Sequence, residues 1–151
     1  MFGGKLVYPF TGARELLRSF ADFDAHAPDG LYVDVLLVTN PEHQRVVVFD
    51  VCYCGSLADA ERAVAPLRSV GKPLHDGFGP VPYVELQRSG DASLPYGRGY
   101  YVKSGYLPGI TTEAIDVAVD YLEGSPLDTS VIAFAHLGGA IRGVKPEATA
   151  Y

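Results

Sequence analysis

The chain has 151 residues, of which 48% are hydrophobic and 20% charged, and its formal net charge is −6. This composition is typical of a globular protein with its own core, and the scattered Lys and Arg residues offer no basic face for nucleic acid. No apolar run is long enough to cross a membrane, and the first residues lack the pattern of a signal peptide, so we expect a single cytoplasmic domain over residues 1–151.

The first half of the chain shows strand and helix patterns in the order strand, helix, strand, strand, helix. Residues 2–10 predict a strand, and Thr11 could cap a helix whose apolar positions are spaced three and four apart. Residues 31–39 and 45–54 predict a hairpin, and its second strand is so continuously apolar that we expect it to be central. A capping signal then opens a second helix at residues 56–70.

The second half begins with a loop-rich segment of about residues 71–99, whose length suggests an interface or a functional role. Residues 100–106 predict a strand, Thr111 or Thr112 caps a third helix, and residues 131–135 predict a last strand. This order predicts an α+β fold, in which helices pack on one face of an antiparallel sheet that resembles a ferredoxin-like unit. The other face of the sheet then has no helix to cover it.

Two acidic residues lie inside predicted strands. Asp34 alternates with apolar residues and shares a face with Tyr32, so we expect it on the uncovered face, either as a solvated acid or as a binding group. Asp50 lies in the central strand, where an acid must be paired or hydrogen-bonded. We expect it to be paired structurally with a nearby arginine rather than to be catalytic.

Tyrosines are abundant, and five of the 10 cluster in or near the loop-rich segment. Tyr101 and its neighbours could form the wall of an aromatic ligand site or could simply anchor loops. Lys103 could hold an anionic group or could be an ordinary surface lysine.

Two adjacent glycines, Gly138 and Gly139, follow the last predicted strand and leave the backbone bare. Such a spot suits a bulge or the close approach of another group. His136 and Arg142 flank it. Alone, His136 is either a hydrogen-bonded structural residue or a general base.

Cys52 and Cys54 are two residues apart in a strand pattern, so their side chains point to one face. The sequence holds no further metal-ligand pattern, and we expect buried small apolar residues here rather than a metal or redox site. A catalytic triad order, a phosphate loop and a dinucleotide fingerprint are also missing from the sequence.

Four segments together resemble the berberine-bridge-enzyme-like FAD-linked oxidases, which belong to the vanillyl-alcohol-oxidase type of flavoprotein. Residues 46–87 resemble a strand–helix run that ends in "GPMPY…LQ", and residues 97–107 resemble the "yyxKSgfl" strand. Residues 136–151 resemble the "hlGGAv" segment, and residues 3–20 match the strand and helix that open the substrate domain. The resemblance spans essentially the whole chain.

The resemblance implies a two-part enzyme. One part would be an FAD domain, which often bonds the flavin through a histidine and a cysteine. The other would be a substrate domain, whose antiparallel sheet covers the flavin ring while the flavin takes a hydride from the substrate and O2 reoxidises it. This chain resembles the substrate domain only, so Cys52 and Cys54 do not correspond to the flavin-linked cysteine. Gly143 stands where plant members have a glutamate base, which leaves the catalytic residues unknown.

Two functions follow as hypotheses. In the first, the chain is the substrate-binding domain of a split or truncated FAD-dependent oxidoreductase, inactive without an FAD-binding domain or chain as its partner. Its small organic substrate would then contact Tyr32, Asp34, Tyr101, Lys103, His136 and Arg142. In the second, the chain is a stand-alone, non-catalytic module that binds a small ligand or forms a homodimer through its open sheet face.

Overall fold

The computed structural model describes residues 1–138, 141, 143–145 and 147–148 of the chain. Its long strands and helices are, in chain order, β1 (Phe2–Pro9), α1 (Ala13–Asp24), β2 (Leu31–Thr39), β3 (Arg45–Tyr53) and α2 (Leu57–Arg68). The short β4 (His75–Asp76), β5 (Gly79–Pro80) and α3 (Tyr83–Arg88) follow, and then α4 (Thr112–Gly124) and β6 (Ile132–Ala135).

The strands form one six-stranded sheet in the order β4-β1-β3-β2-β6, and β5 also pairs with β1. Every pairing is antiparallel. This arrangement confirms the predicted α+β fold with an antiparallel sheet. The apolar strand β3 lies between β1 and β2, as its sequence predicted.

The helices α1, α2 and α4 bury their apolar sides against one face of the sheet, which we call the covered face. Alternate strand residues supply that face, and the ring of Phe49 at its centre meets the edges of Tyr8 and Phe20. The Tyr8 hydroxyl donates to the Leu67 carbonyl of α2 at 2.8 Å, which satisfies the only polar atom of that side chain. Burying one such aromatic side chain stabilises the fold by about 1.5–3 kcal/mol.

Capping explains where two of the helices begin. The Ser56 side chain accepts a hydrogen bond from the Asp59 amide at the start of α2, and Thr111 accepts one from Ala114 at the start of α4. Both caps agree with the sequence prediction. Thr11 does not cap α1, because the chain makes a short 3-10 turn over Phe10–Gly12 first and the cap position falls to Gly12.

One expectation for the middle of the chain is wrong, and another is refined. Residues 100–106 form no strand, and their aromatic and apolar side chains are largely exposed because no neighbouring strand lies against them. The segment 71–99 is less irregular than predicted, since β4 and β5 pair with β1 and α3 follows. Within the described part of the chain, no helix is long and apolar enough to cross a membrane.

Candidate functional site

The opposite face of the sheet, which we call the open face, carries a row of polar side chains. Strand register places Lys5 of β1 opposite Asp50 of β3, and Asp50 opposite Asp34 of β2. Ala135 of β6 stands opposite Asp34 and is exposed, so the row ends in open space. Because opposite residues of an antiparallel pair point to the same side, these groups form one surface.

Tyr32 and Asp34 are the part of this row that the sequence analysis proposed as binding residues. The Tyr32 hydroxyl donates to the Asp34 carboxylate at 2.8 Å, and the tyrosine side chain is 43% exposed. The pKa of Tyr32 is raised well above its ordinary value. Partial burial is the largest cause, and the hydrogen bond to Asp34 is the second. The phenol therefore stays protonated and remains a hydrogen-bond donor at neutral pH.

Asp34 and Asp50 face each other as like charges. Partial burial is the main cause that raises the pKa of both carboxyls, and repulsion from Asp50 adds to the rise at Asp34. Lys5 opposes the rise at Asp50, with its Nζ 3.6 Å from the carboxylate. The structural pairing predicted for Asp50 is present, but the partner is a lysine and not an arginine.

Sequence reasoning missed Lys5 as a member of the row. Its signal was a single charged residue between glycines and apolar residues in β1, which becomes informative only once the register with Asp50 is known. The row as a whole offers a donor and two acceptors to a polar group placed over the sheet.

One end of the open face is closed by α3. Gly3 lies on this face opposite Cys52, and a side-chain carbon at Gly3 would come within 2.9 Å of the Leu86 methyl. Leu86 thus packs where β1 has no side chain, which is the close approach that a strand glycine permits. At the other end of the sheet, Val46 and Val48 are buried on this face, so the polar row lies between two apolar regions.

Cys52 and Cys54 are not buried as predicted. Cys52 is half-buried on the open face and Cys54 is exposed just beyond the end of β3. This end of β3 lies at the rim of the sheet. The next two residues, Gly55 and Ser56, are also exposed and do not cover the Cys54 side chain.

His136 lies on the covered side of the sheet and is separated from Tyr32 and Asp34. Its ring is 3% exposed, and its Nδ1 is hydrogen-bonded to the Asp24 carboxylate at the end of α1. Its Nε2 has no hydrogen-bond partner among the described residues. These contacts favour the structural interpretation of this histidine over the proposed substrate contact.

Gly138 packs directly against the His136 ring, since a side-chain carbon there would overlap the imidazole. The close approach that its sequence suggested therefore exists, but the approaching group is this histidine. Gly139 and Arg142 lie outside the described residues.

Tyr101 and Lys103 lie in the segment that forms no strand. Lys103 Nζ sits 5.8 Å from the centre of the Tyr101 ring, and the tyrosine is 85% exposed. The structure does not bring this pair to the polar row. Across the described residues, no group of three or more His, Cys, Asp or Glu side chains could hold a metal ion.

The fold and the row together define a class of protein: an α+β sheet domain with helices on one face and a polar, accessible surface on the other. The solved structure of 6-hydroxy-D-nicotine oxidase from Arthrobacter nicotinovorans has a similar fold, with a TM-score of 0.53 and 24% identity. The match covers 65% of this chain and 22% of that one.

A curated relative, an FAD-linked oxidoreductase of Dictyostelium discoideum, is 25% identical over 140 residues. The alignment takes in 92% of this chain but spans only 30% of the relative. No family model matches the sequence. The chain thus resembles an FAD-linked oxidase-like domain and corresponds to less than a third of the relative's length.

Proposed function

We propose that residues 1–151 form the substrate-binding domain of a berberine-bridge-like FAD-dependent oxidoreductase. An FAD-binding domain or chain would hold the flavin, and a small organic substrate would lie between the flavin ring and the open face. The bound flavin would supply the redox chemistry by accepting a hydride from the substrate.

The observation that carries this proposal is the open face itself. It is polar along the row from Lys5 to Asp34, and its far end at Ala135 is exposed and bears only a methyl group. A flat ring and a substrate need such a surface, with few large side chains and a small number of directed polar groups. The names of the two relatives, an FAD-linked oxidoreductase and 6-hydroxy-D-nicotine oxidase, support the same class of activity.

Tyr32 and Asp34 have the most direct roles in this proposal. The Tyr32 hydroxyl already donates to Asp34, so a substrate that approaches from above meets the free lone pairs of the carboxylate and the exposed side of the phenol ring. Tyr101 and Lys103 remain proposed substrate contacts that would need to move toward this surface. Arg142 also remains a proposed substrate contact. His136 would support the site from the covered side through Asp24.

A chimera tests whether this domain covers a flavin. Residues 1–151 replace the aligned segment of the Dictyostelium relative, and a second protein carries a deletion of that segment. We expect the chimera to retain flavin and to shield its fluorescence from iodide, whereas the flavin of the deletion protein should be quenched freely. A chimera without flavin, or one in which iodide quenches as strongly as in the deletion protein, would contradict the proposal.

A homodimer through the open face is the second candidate. Tyr32 and the exposed alanines of β6 give this face a partly apolar surface that a second copy could cover. Light scattering on the purified chain separates the candidates. A stable dimer that Ala135→Arg converts to a monomer would favour the binding module, and a monomer would favour the substrate domain.

A further inference from the structure

Residues 94–107, which we call the aromatic segment, hold large apolar side chains in water. Every residue from 96 to 107 is exposed. Seven side chains of the segment are large, apolar and more than half exposed, namely Leu94, Tyr96, Tyr100, Tyr101, Val102, Tyr106 and Leu107. Single exposed apolar residues are common, but a run of this kind marks an interaction surface. Tyrosine is also enriched where proteins bind each other.

The side-chain contacts of the aromatic segment lie within the segment itself. The Tyr100 hydroxyl donates to the Pro95 carbonyl at 3.3 Å, and the Lys103 ammonium lies 5.8 Å from the centre of the Tyr101 ring. Neither contact joins the segment to the sheet or to the helices. Core packing therefore does not explain why these aromatic residues are present.

The charges of the aromatic segment are all positive, although the chain as a whole has a net charge of −6. Arg98 and Lys103 are its two charged residues. Among the described residues, no carboxylate forms an ion pair with either of them. Every other described arginine is held by a carboxylate or a backbone carbonyl of this chain. The segment thus suits a partner surface that is apolar and acidic.

A second copy of the chain fits this segment poorly. A twofold dimer would place the same segment of each copy against the other. The cations of the two copies would then meet, and the segment contains no acidic residue to pair with them. Like charges brought together in an interface oppose binding.

The aromatic segment begins close to the open face. Leu86 of α3 packs over Gly3 on that face, and α3 ends at Arg88. The six steps from Arg88 to Leu94 span at most about 20 Å of extended chain. The segment therefore starts beside the surface that we propose to lie over the flavin. Most of the Dictyostelium relative lies outside its alignment with this chain, which spans only 30% of that protein.

We propose that the aromatic segment is the docking surface for the FAD-binding partner. Its tyrosines pack against an apolar surface of that partner, and Arg98 pairs with an acidic residue there. This inference rests on the proposed function, because it names the part of the chain that holds the flavin-binding partner in place. Docking would also bring Tyr101 and Lys103 to the boundary between the two parts, in agreement with their proposed role as substrate contacts.

Hydroxyl-radical footprinting, read by mass spectrometry, tests the docking. Labelling of Tyr96, Tyr100, Tyr101 and Tyr106 is compared between the isolated 151-residue chain and the chimera. We expect labelling of these tyrosines to fall by about fivefold in the chimera, because a docked surface excludes water. Tyr121 on α4 is 66% exposed and lies outside the segment, so its labelling should stay unchanged.

A charge reversal provides the matched comparison. In the chimera, Arg98→Glu should raise the labelling of the four tyrosines to nearly that of the isolated chain, because the new carboxylate repels the acidic partner surface. Lys72→Glu makes the same kind of change at an exposed residue outside the segment and should leave the protection intact. Both substitutions are at exposed positions, so circular dichroism should show an unchanged fold.

Three results would overturn the proposal: equal labelling of the four tyrosines in the chimera and the isolated chain, equal effects of Arg98→Glu and Lys72→Glu, or protection in the isolated chain that grows with its concentration. The last result would mean that a second copy covers the segment. The iodide measurement on the same chimera separates this inference from the proposed function. Flavin shielded from iodide beside fully labelled tyrosines would contradict the docking surface alone, whereas protected tyrosines beside freely quenched flavin would contradict the proposed function alone.

Discussion

At the scale of single residues, the open face is defined by two carboxylates held against each other. Asp34 and Asp50 are opposite residues on neighbouring strands, and among the described residues only Asp50 has a cation near it, Lys5. Like charges placed opposite each other destabilise a sheet. A protein that keeps such a pair on an accessible face gives up some stability for it, which is the cost expected under the proposed binding role.

Asp34→Asn should make the protein more stable at neutral pH. Because burial raises the pKa of Asp34, the native state binds this proton more tightly than the unfolded chain, and stability falls as pH rises from the ordinary carboxyl value to the raised one. The amide oxygen can still accept from Tyr32 while the repulsion with Asp50 is lost. We expect a gain of about 0.5 kcal/mol in urea unfolding at neutral pH.

The gain should vanish in acid, below about pH 4, where Asp34 is protonated in both states. Glu42→Gln, at an exposed acid in the turn between β2 and β3, is the control and should change little at either pH. A loss of stability at neutral pH would show that the carboxylate is needed for the fold rather than tolerated by it.

Gly138 and His136 should be energetically coupled. Gly138→Ala places a methyl group into the His136 ring and should destabilise the protein by about 1–3 kcal/mol. In a His136→Ala background the same change should cost much less, because the ring is gone. A double-mutant cycle by urea unfolding measures this coupling, and additive effects of the two substitutions would contradict the contact.

At the scale of elements, local signals predicted the caps of α2 and α4 correctly, whereas strand pairing between distant segments was predicted poorly. The Ser56 and Thr111 caps lie within three residues of the amides that they satisfy, so the sequence contains the whole signal. Residues 100–106 have the composition of a strand, but a strand also needs a neighbour, and the sequence does not say which edge is free. The two-residue strands β4 and β5 were missed for the same reason, since their pairing with β1 is long-range.

Hydrogen exchange tests the description of residues 100–106. Their backbone amides form no ladder in the structure, so we expect them to exchange at close to the rate of an unstructured chain. Amides of β3, which has strands on both sides, should be strongly protected and serve as the internal reference. Alternating protection across 100–106 would show that this segment pairs as a strand after all.

At the scale of the whole molecule, the sequence predicted the layer architecture and half of the candidate site. Period-two alternation around Asp34 placed Tyr32 and Asp34 on the open face, and the register confirms that placement. His136 joined them as a candidate because it flanks the glycine pair and through the family resemblance, but its side chain points to the other face, where it is hydrogen-bonded to Asp24 of α1. Asp24 is 112 residues away from His136 in the chain, so no local sequence pattern predicts this contact.

The central claim is that the open face, and not the helical surface, lies over a flavin. The chain contains no tryptophan, so one introduced indole within this domain can report contact with a flavin ring by quenching its fluorescence. Ala135 on the open face and Ala65 on the outer surface of α2 are both exposed and make a matched pair. In the chimera described above, Ala135→Trp should quench the flavin strongly and Ala65→Trp should leave it unchanged; quenching by Ala65→Trp alone, or by neither, would contradict the account.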